Sequence, residues 1–195
     1  MVVAGYYDAV PQTGFESAVV PYVLVMPDQV NPNTFLPATR SMMIEKMAWQ
    51  NAGRFSEKLS WNEDYEFALR LQKKGISIFF AGQAKVSWIP VSNLQKFWKM
   101  IWRFAKGDIQ AKIWRGKVKL IFIRYILALL IVGGLIFIGQ IELATLLCLL
   151  GLGAYSIWAV IKNERYVVKG KMWLPVLQFT SDLAVMGGSL AGLVN

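Results

Sequence analysis

Two long apolar runs separated by a single glutamine constrain this 195-residue chain more than any other feature. The first, Leu120–Gly139, reads LIFIRYILALLIVGGLIFIG. It has about the 20 residues that a helix needs to cross the hydrocarbon of a bilayer, and Arg124 lies near one end, where a long cation can snorkel to the headgroups. After a tight turn at Gln140, Ile141–Ile161 is a second run, close enough to the first to imply an antiparallel hairpin. A third run, residues 173–194, is weaker because Gln178, Thr180, Ser181 and Asp182 interrupt it. A charge at mid-membrane costs roughly 2.5 to 3.5 kcal/mol on insertion scales, so Asp182 is expected to face protein or water. The same run places Ala184, Gly188 and Gly192 four residues apart, a small-residue face suited to helix–helix association within the chain or with a partner chain. Three transmembrane helices are therefore expected, over 120–139, 141–161 and 173–194.

The net charge of +9 divides unevenly along the chain. Residues 1–95 carry eight basic and eight acidic side chains, whereas Lys96, Lys99, Arg103, Lys106, Lys112, Arg115, Lys117, Lys119 and Arg124 face Asp108 alone. Because this excess lies just before an apolar run, it reads as a juxtamembrane collar attracted to anionic lipid, not as a nucleic-acid surface. Within residues 92–119, Leu94, Trp98, Ile101 and Ala105 form an apolar stripe opposite the lysines, and tryptophans 98, 102 and 114 suit a headgroup boundary, as expected of interfacial amphipathic helices. Basic segments before the first run and after the second place both, with the N-terminal part, on the cytoplasmic side of a multi-pass cell-membrane protein, and the C-terminus outside.

What is missing narrows the chemistry. The chain has no histidine, so Ser/His/Asp triads and His-ligated zinc are excluded, and its one cysteine, Cys148, lies in an apolar run. Neither GxGxxG nor GxxxxGK[ST] occurs.

Residues 1–91 differ in kind. Short β-like runs (Tyr22–Met26, Ile76–Phe80, Lys85–Trp88) alternate with prolines and with two legible helices, Glu45–Asn51 and Glu63–Lys74, which reads as a small α/β layer. Within it, LSWNEDYEF places Glu63 and Asp64 after Asn62 at a helix start. Taken by itself that arrangement is capping, because Asn is a favoured N-cap and acids in a first turn complement the helix dipole.

The order of features around it is more specific. From Phe35 to Pro90 the chain has small residues with Arg40–Ser41, a tryptophan-bearing helix, the turn Gly53-Arg54-Phe55, the Glu63–Asp64 pair, Leu69-Arg70-Leu71, a glycine turn and a strand pair. This stretch resembles the acceptor half of the family-two inverting glycosyltransferases of GT-A fold. The resemblance implies a partial GT-A-like α/β domain followed by an interfacial helix and transmembrane helices, and a sugar moved from a nucleotide-sugar donor to a membrane-associated or polysaccharide acceptor. It implies Asp64 as catalytic base, Glu63 and Trp61 at the acceptor, and Arg40 and Arg103 toward the donor diphosphate. Arg70 is expected to serve structure. Processive relatives carry Gln-x-x-Arg-Trp in the interfacial helix. Here MIWRF, Met100–Phe104, keeps Arg103 but has methionine and phenylalanine at the other two positions, so processive synthesis is not expected.

The resemblance covers only the acceptor side. Relatives have a preceding nucleotide-binding half ending in Asp-x-Asp, which holds a divalent metal, Mg or Mn, on the diphosphate, and this sequence has no Asp-x-Asp. The expectation is an acceptor and membrane portion with no metal ligands of its own, inactive alone. Two alternatives stay open: one chain of a split enzyme, marked by an exposed apolar sheet edge near residues 1–10, or a non-catalytic membrane adaptor.

Overall fold

The computed structural model describes residues 1–194. A three-stranded mixed sheet forms the first layer, in the order β2-β1-β3. The central strand β1 (Val2–Ala9) pairs antiparallel with β2 (Met42–Ile44) and parallel with β3 (Ile78–Trp88). Val2–Ala4 are flanked by strands on both sides, whereas Gly5–Ala9 pair with β3 alone, so the sheet edge that would mark a split enzyme is covered over the first part of β1 only. The two runs Ile76–Phe80 and Lys85–Trp88 are one strand interrupted by a bulge: β1 meets it at Gly5↔Ala81 and then at Tyr6↔Lys85. Gly5 admits that bulge, since a Cβ there would come 2.6 Å from the Ala84 carbonyl oxygen.

Tyr22–Met26, expected as β, is the end of helix α1 (Gly14–Val23) and the extended residues after it. The β-propensity of its valines, and the helix-breaking tendency of Pro21, are overridden by tertiary burial of Phe15, Ala18 and Val19. Thr13 caps the helix by accepting from the Glu16 N–H at 3.1 Å. Helices α2 (Lys46–Asn51) and α3 (Glu63–Lys73) cover the sheet, closing a core of Val2, Ala48, Ala52, Phe67 and Leu71.

A second core lies beneath. It joins Phe15, Ala18 and Val19 of α1 to Phe97 and Ile101 of α4 (Leu94–Gln110) and to Leu174, Leu177 and Ala184 of α7 (Trp173–Leu193). The Tyr22 hydroxyl, its pKa pushed up chiefly by burial and so held protonated, donates to the Leu174 carbonyl at 2.7 Å. Helix α7 lies along α4 at backbone distance: a Cβ on Gly188 would come 2.2 Å from the Trp102 carbonyl oxygen, and one on Gly192 2.9 Å from that of Lys106. The small-residue face of Ala184, Gly188 and Gly192 therefore meets α4 of the same chain.

Between these helices run α5 (Gly116–Phe137) and α6 (Ile141–Asn163), joined by a turn at Gly139 whose φ is +80°. Among the described residues, α5 and α6 with its 3-10 continuation to Tyr166 are the two helices long and apolar enough to cross a membrane. No residue of α5 is buried, and α6 buries only Ala144, Ala159 and Asn163. Helix α7 differs from them. It buries Leu174, Leu177, Gln178, Asp182, Ala184, Gly188, Ser189 and Gly192, and it is not among the helices apolar enough to be the third crossing expected over 173–194.

Candidate active site

The start of α3 is built from three directions. Asn62 occupies the N-cap position with φ +58°, a left-handed conformation that asparagine tolerates better than most residues. Its side chain does not cap. Instead its amide donates to the Phe104 carbonyl at 2.8 Å and to Asp108 Oδ1 at 3.0 Å, both on α4. Asp108 is buried, and Arg115 grips it twice, Nε to Oδ2 at 2.6 Å and Nη2 to Oδ1 at 2.9 Å. The same guanidinium lies 4.0 Å over the Tyr65 ring. A paired, hydrogen-bonded carboxylate of this kind is the form in which a buried charge is tolerated, and deleting one partner leaves the others uncompensated.

This network fixes the two acids that follow Asn62. Asp64 is half-buried; its Oδ1 accepts from the Tyr65 N–H at 2.8 Å and its Oδ2 from the Thr39 N–H at 3.4 Å. The second, long contact comes from the loop that also carries Arg40. A carboxylate with one such weakly held oxygen can take a proton from a ligand that approaches it. Glu63 is half-buried beside it.

Trp61 is exposed at the same junction, and the Arg103 guanidinium stacks 4.4 Å from its ring centroid. The α4 backbone also presses on Trp61, since a Cβ on Gly107 would clash with the Trp61 carbonyl oxygen. The structure thus brings Trp61, Glu63, Asp64 and Arg103 to one corner. Arg40 is exposed near it but points elsewhere, 5.7 Å over the Tyr7 ring, where with Lys85 it lines an open groove of about 350 Å³ across the sheet. Arg70 is structural in its contacts: it pairs with Glu66 at 2.6 Å and donates to the carbonyls of Ala52 and Arg54 at 2.8 and 2.6 Å, holding the Gly53 turn against α3.

Sequence reasoning passed over Asn62, Asp108, Arg115 and Tyr65 as a unit. The available signal was Asp108 itself, the one acid among nine bases in residues 96–124. Among the described residues there is no cluster of three or more His, Cys, Asp or Glu side chains that could hold a metal ion.

No curated protein and no solved structure gives a match to the chain. A family model does: glycosyl transferase family group 2 matches residues 24–193, well over half of the sequence and across both the α/β layer and the long helices. The chain belongs to glycosyl transferase family group 2.

Proposed function

We propose that these residues form the acceptor side and membrane anchor of an inverting glycosyltransferase with a GT-A-like catalytic layer, Asp64 being its general base. In the reaction, the acceptor hydroxyl gives its proton to Asp64 as its oxygen bonds to the anomeric carbon of the donor. The bond from that carbon to the diphosphate breaks on the opposite face, and the nucleoside diphosphate leaves, which inverts the anomeric configuration. Trp61 offers a ring face for a sugar, Glu63 a second carboxylate for acceptor hydroxyls, and Arg103 a cation for developing charge on the diphosphate side. Arg40 reaches that side only if its loop turns from Tyr7. The observation that carries this reading is Asp64, half-exposed at a helix start with one weakly held oxygen, beside the Trp61–Arg103 pair.

Binding of the nucleotide sugar, and of any Mg or Mn on its diphosphate, falls to residues outside those described here, upstream or on a partner chain. Two apolar helices and the flanking basic segments support a multi-pass membrane location with the catalytic layer on the cytoplasmic side. Calorimetry tests the division of labour: the chain alone should bind no nucleotide sugar, and membranes in which the nucleotide-binding half is restored should transfer labelled sugar with inverted configuration. Micromolar, metal-dependent donor binding by the chain alone, or a product of retained configuration, would overturn the proposal.

A further inference from the structure

Helix α7 has the length of a membrane crossing, 21 residues or about 31 Å. A crossing helix of that length holds its two ends on opposite faces of the bilayer, so only one end can touch a layer of protein outside it. In this chain both ends of α7 touch the α/β layer's side. At its start, Trp173 packs edge-to-face on Phe15 of α1 at 5.1 Å and Leu174 accepts the Tyr22 hydroxyl. At its end, Gly192 packs on Lys106 and Ile109 of α4. The two residues between those, Gly107 and Asp108, are the ones pressed against Trp61 and bonded to Asn62 at the start of α3.

The hairpin meets α7 at its middle. Asp182 accepts from Arg124 at 2.8 Å and Tyr125 at 3.2 Å on α5, and from Tyr155 at 2.6 Å on α6. Arg124 lies four residues inside the apolar run that begins at Leu120, and Tyr155 six residues inside the run that ends at Ile161, depths of about 6 and 9 Å along a helix. Those depths are the ones at which a surface-lying amphipathic helix buries its apolar face, about 5 to 10 Å into the headgroup and acyl boundary. The face of α7 turned away from the protein fits that place: Val176, Leu183 and Leu190, seven residues apart, are 40%, 48% and 53% exposed. Alongside, α4 exposes Lys96, Lys99 and Trp98, the basic and aromatic complement of an anionic headgroup layer.

We infer that α7 does not cross the membrane but lies along its catalytic-side surface, paired with α4 as a lipid-facing floor, so that the described chain crosses twice and Val194 is on the same side as the α/β layer. This rests on α5 and α6 being membrane crossings, and it reverses the outside C-terminus that the charge pattern suggests.

Single cysteines test it in the full chain, in sealed membrane vesicles of one orientation, on a Cys148→Ser background. A membrane-impermeant maleimide applied from the catalytic side should label Val194→Cys and should leave Gln140→Cys, at the hairpin tip, unlabelled until the vesicles are opened. Nitroxides placed at Val176→Cys, Leu183→Cys and Leu190→Cys should report one shallow depth. If α7 crosses, Val194→Cys is protected and the depths of positions 176 and 190 spread over about 21 Å, which overturns the inference. If Gln140→Cys labels from the catalytic side, the crossing of α5 and α6 fails, and the inference falls with it for that separate reason.

Discussion

Each helix of the α5–α6 hairpin is about as long as α7, yet the chain treats them oppositely. The hairpin turns almost all of its apolar surface outward, and its glycines Gly133, Gly134, Gly151 and Gly153 face open space. Helix α7 turns its small and polar residues inward, with Asp182 and Ser189 each 1% exposed and Gly188 and Gly192 in backbone contact with α4. The hairpin is thus shaped for lipid to cover, whereas half of α7 is already covered by protein. Averaged hydropathy already sets α5 and α6 apart as the helices apolar enough to cross a membrane, but it records what the residues are and not what lies against them.

The sharpest way to break this contrast is deletion. Replacing residues 117–162 with a short Gly/Ser linker should abolish retention in membranes washed with alkaline carbonate, while truncation before α7 should leave retention intact. Release after loss of α7 alone would show that the two regions anchor alike. Next in size is the contact between them. Asp182→Ala strips Arg124, Tyr125, Tyr155 and Gln178 of their shared acceptor. It should cost about 3 kcal/mol in unfolding experiments, the low end for breaking a buried pair, because Arg124 is 41% exposed and can turn to headgroups.

Smaller again is the glycine contrast. Gly188→Val should lower stability by about 1 to 3 kcal/mol, the cost of overpacking against the Trp102 backbone, whereas Gly133→Val on α5 meets nothing within 4 Å and should be neutral. Equal losses at both positions would show that α5 is packed after all. The smallest effect is electrostatic: removing Lys96 or Lys99 from α4 should weaken binding to anionic vesicles by about 1 kcal/mol each and leave binding to neutral vesicles unchanged.

The elements most legible in the sequence were those whose pattern is local. Helix α3 begins at Glu63 as its acids and asparagine suggest, and the two apolar runs are helices with a turn at Gly139 and Gln140. Positions decided by distant partners were not legible. Asn62 has the composition of a cap, but Phe104 and Asp108, more than forty residues away, take its side chain. Tyr22 and Val23 read as the start of a β run until α4 and α7 bury that segment as a helix. The corner holding Trp61, Asp64 and Arg103 was legible only in part. Its acids follow a local motif, whereas the approach of α4 depends on Gly107 lying against the Trp61 backbone.

The assignment of Asp64 bears most directly on function, and one substitution separates it from capping. In membranes carrying the chain together with its nucleotide-binding half, Asp64→Asn keeps the shape of the side chain but cannot take a proton. Loss of a general base lowers turnover about a hundred- to ten-thousand-fold, whereas loss of a first-turn carboxylate costs only about 0.3 to 1 kcal/mol of stability. Turnover of Asp64→Asn should therefore collapse with membrane insertion and donor binding unchanged, and Glu63→Gln should do less harm. Near-normal turnover of Asp64→Asn would contradict the assignment and return both acids to the role of helix caps.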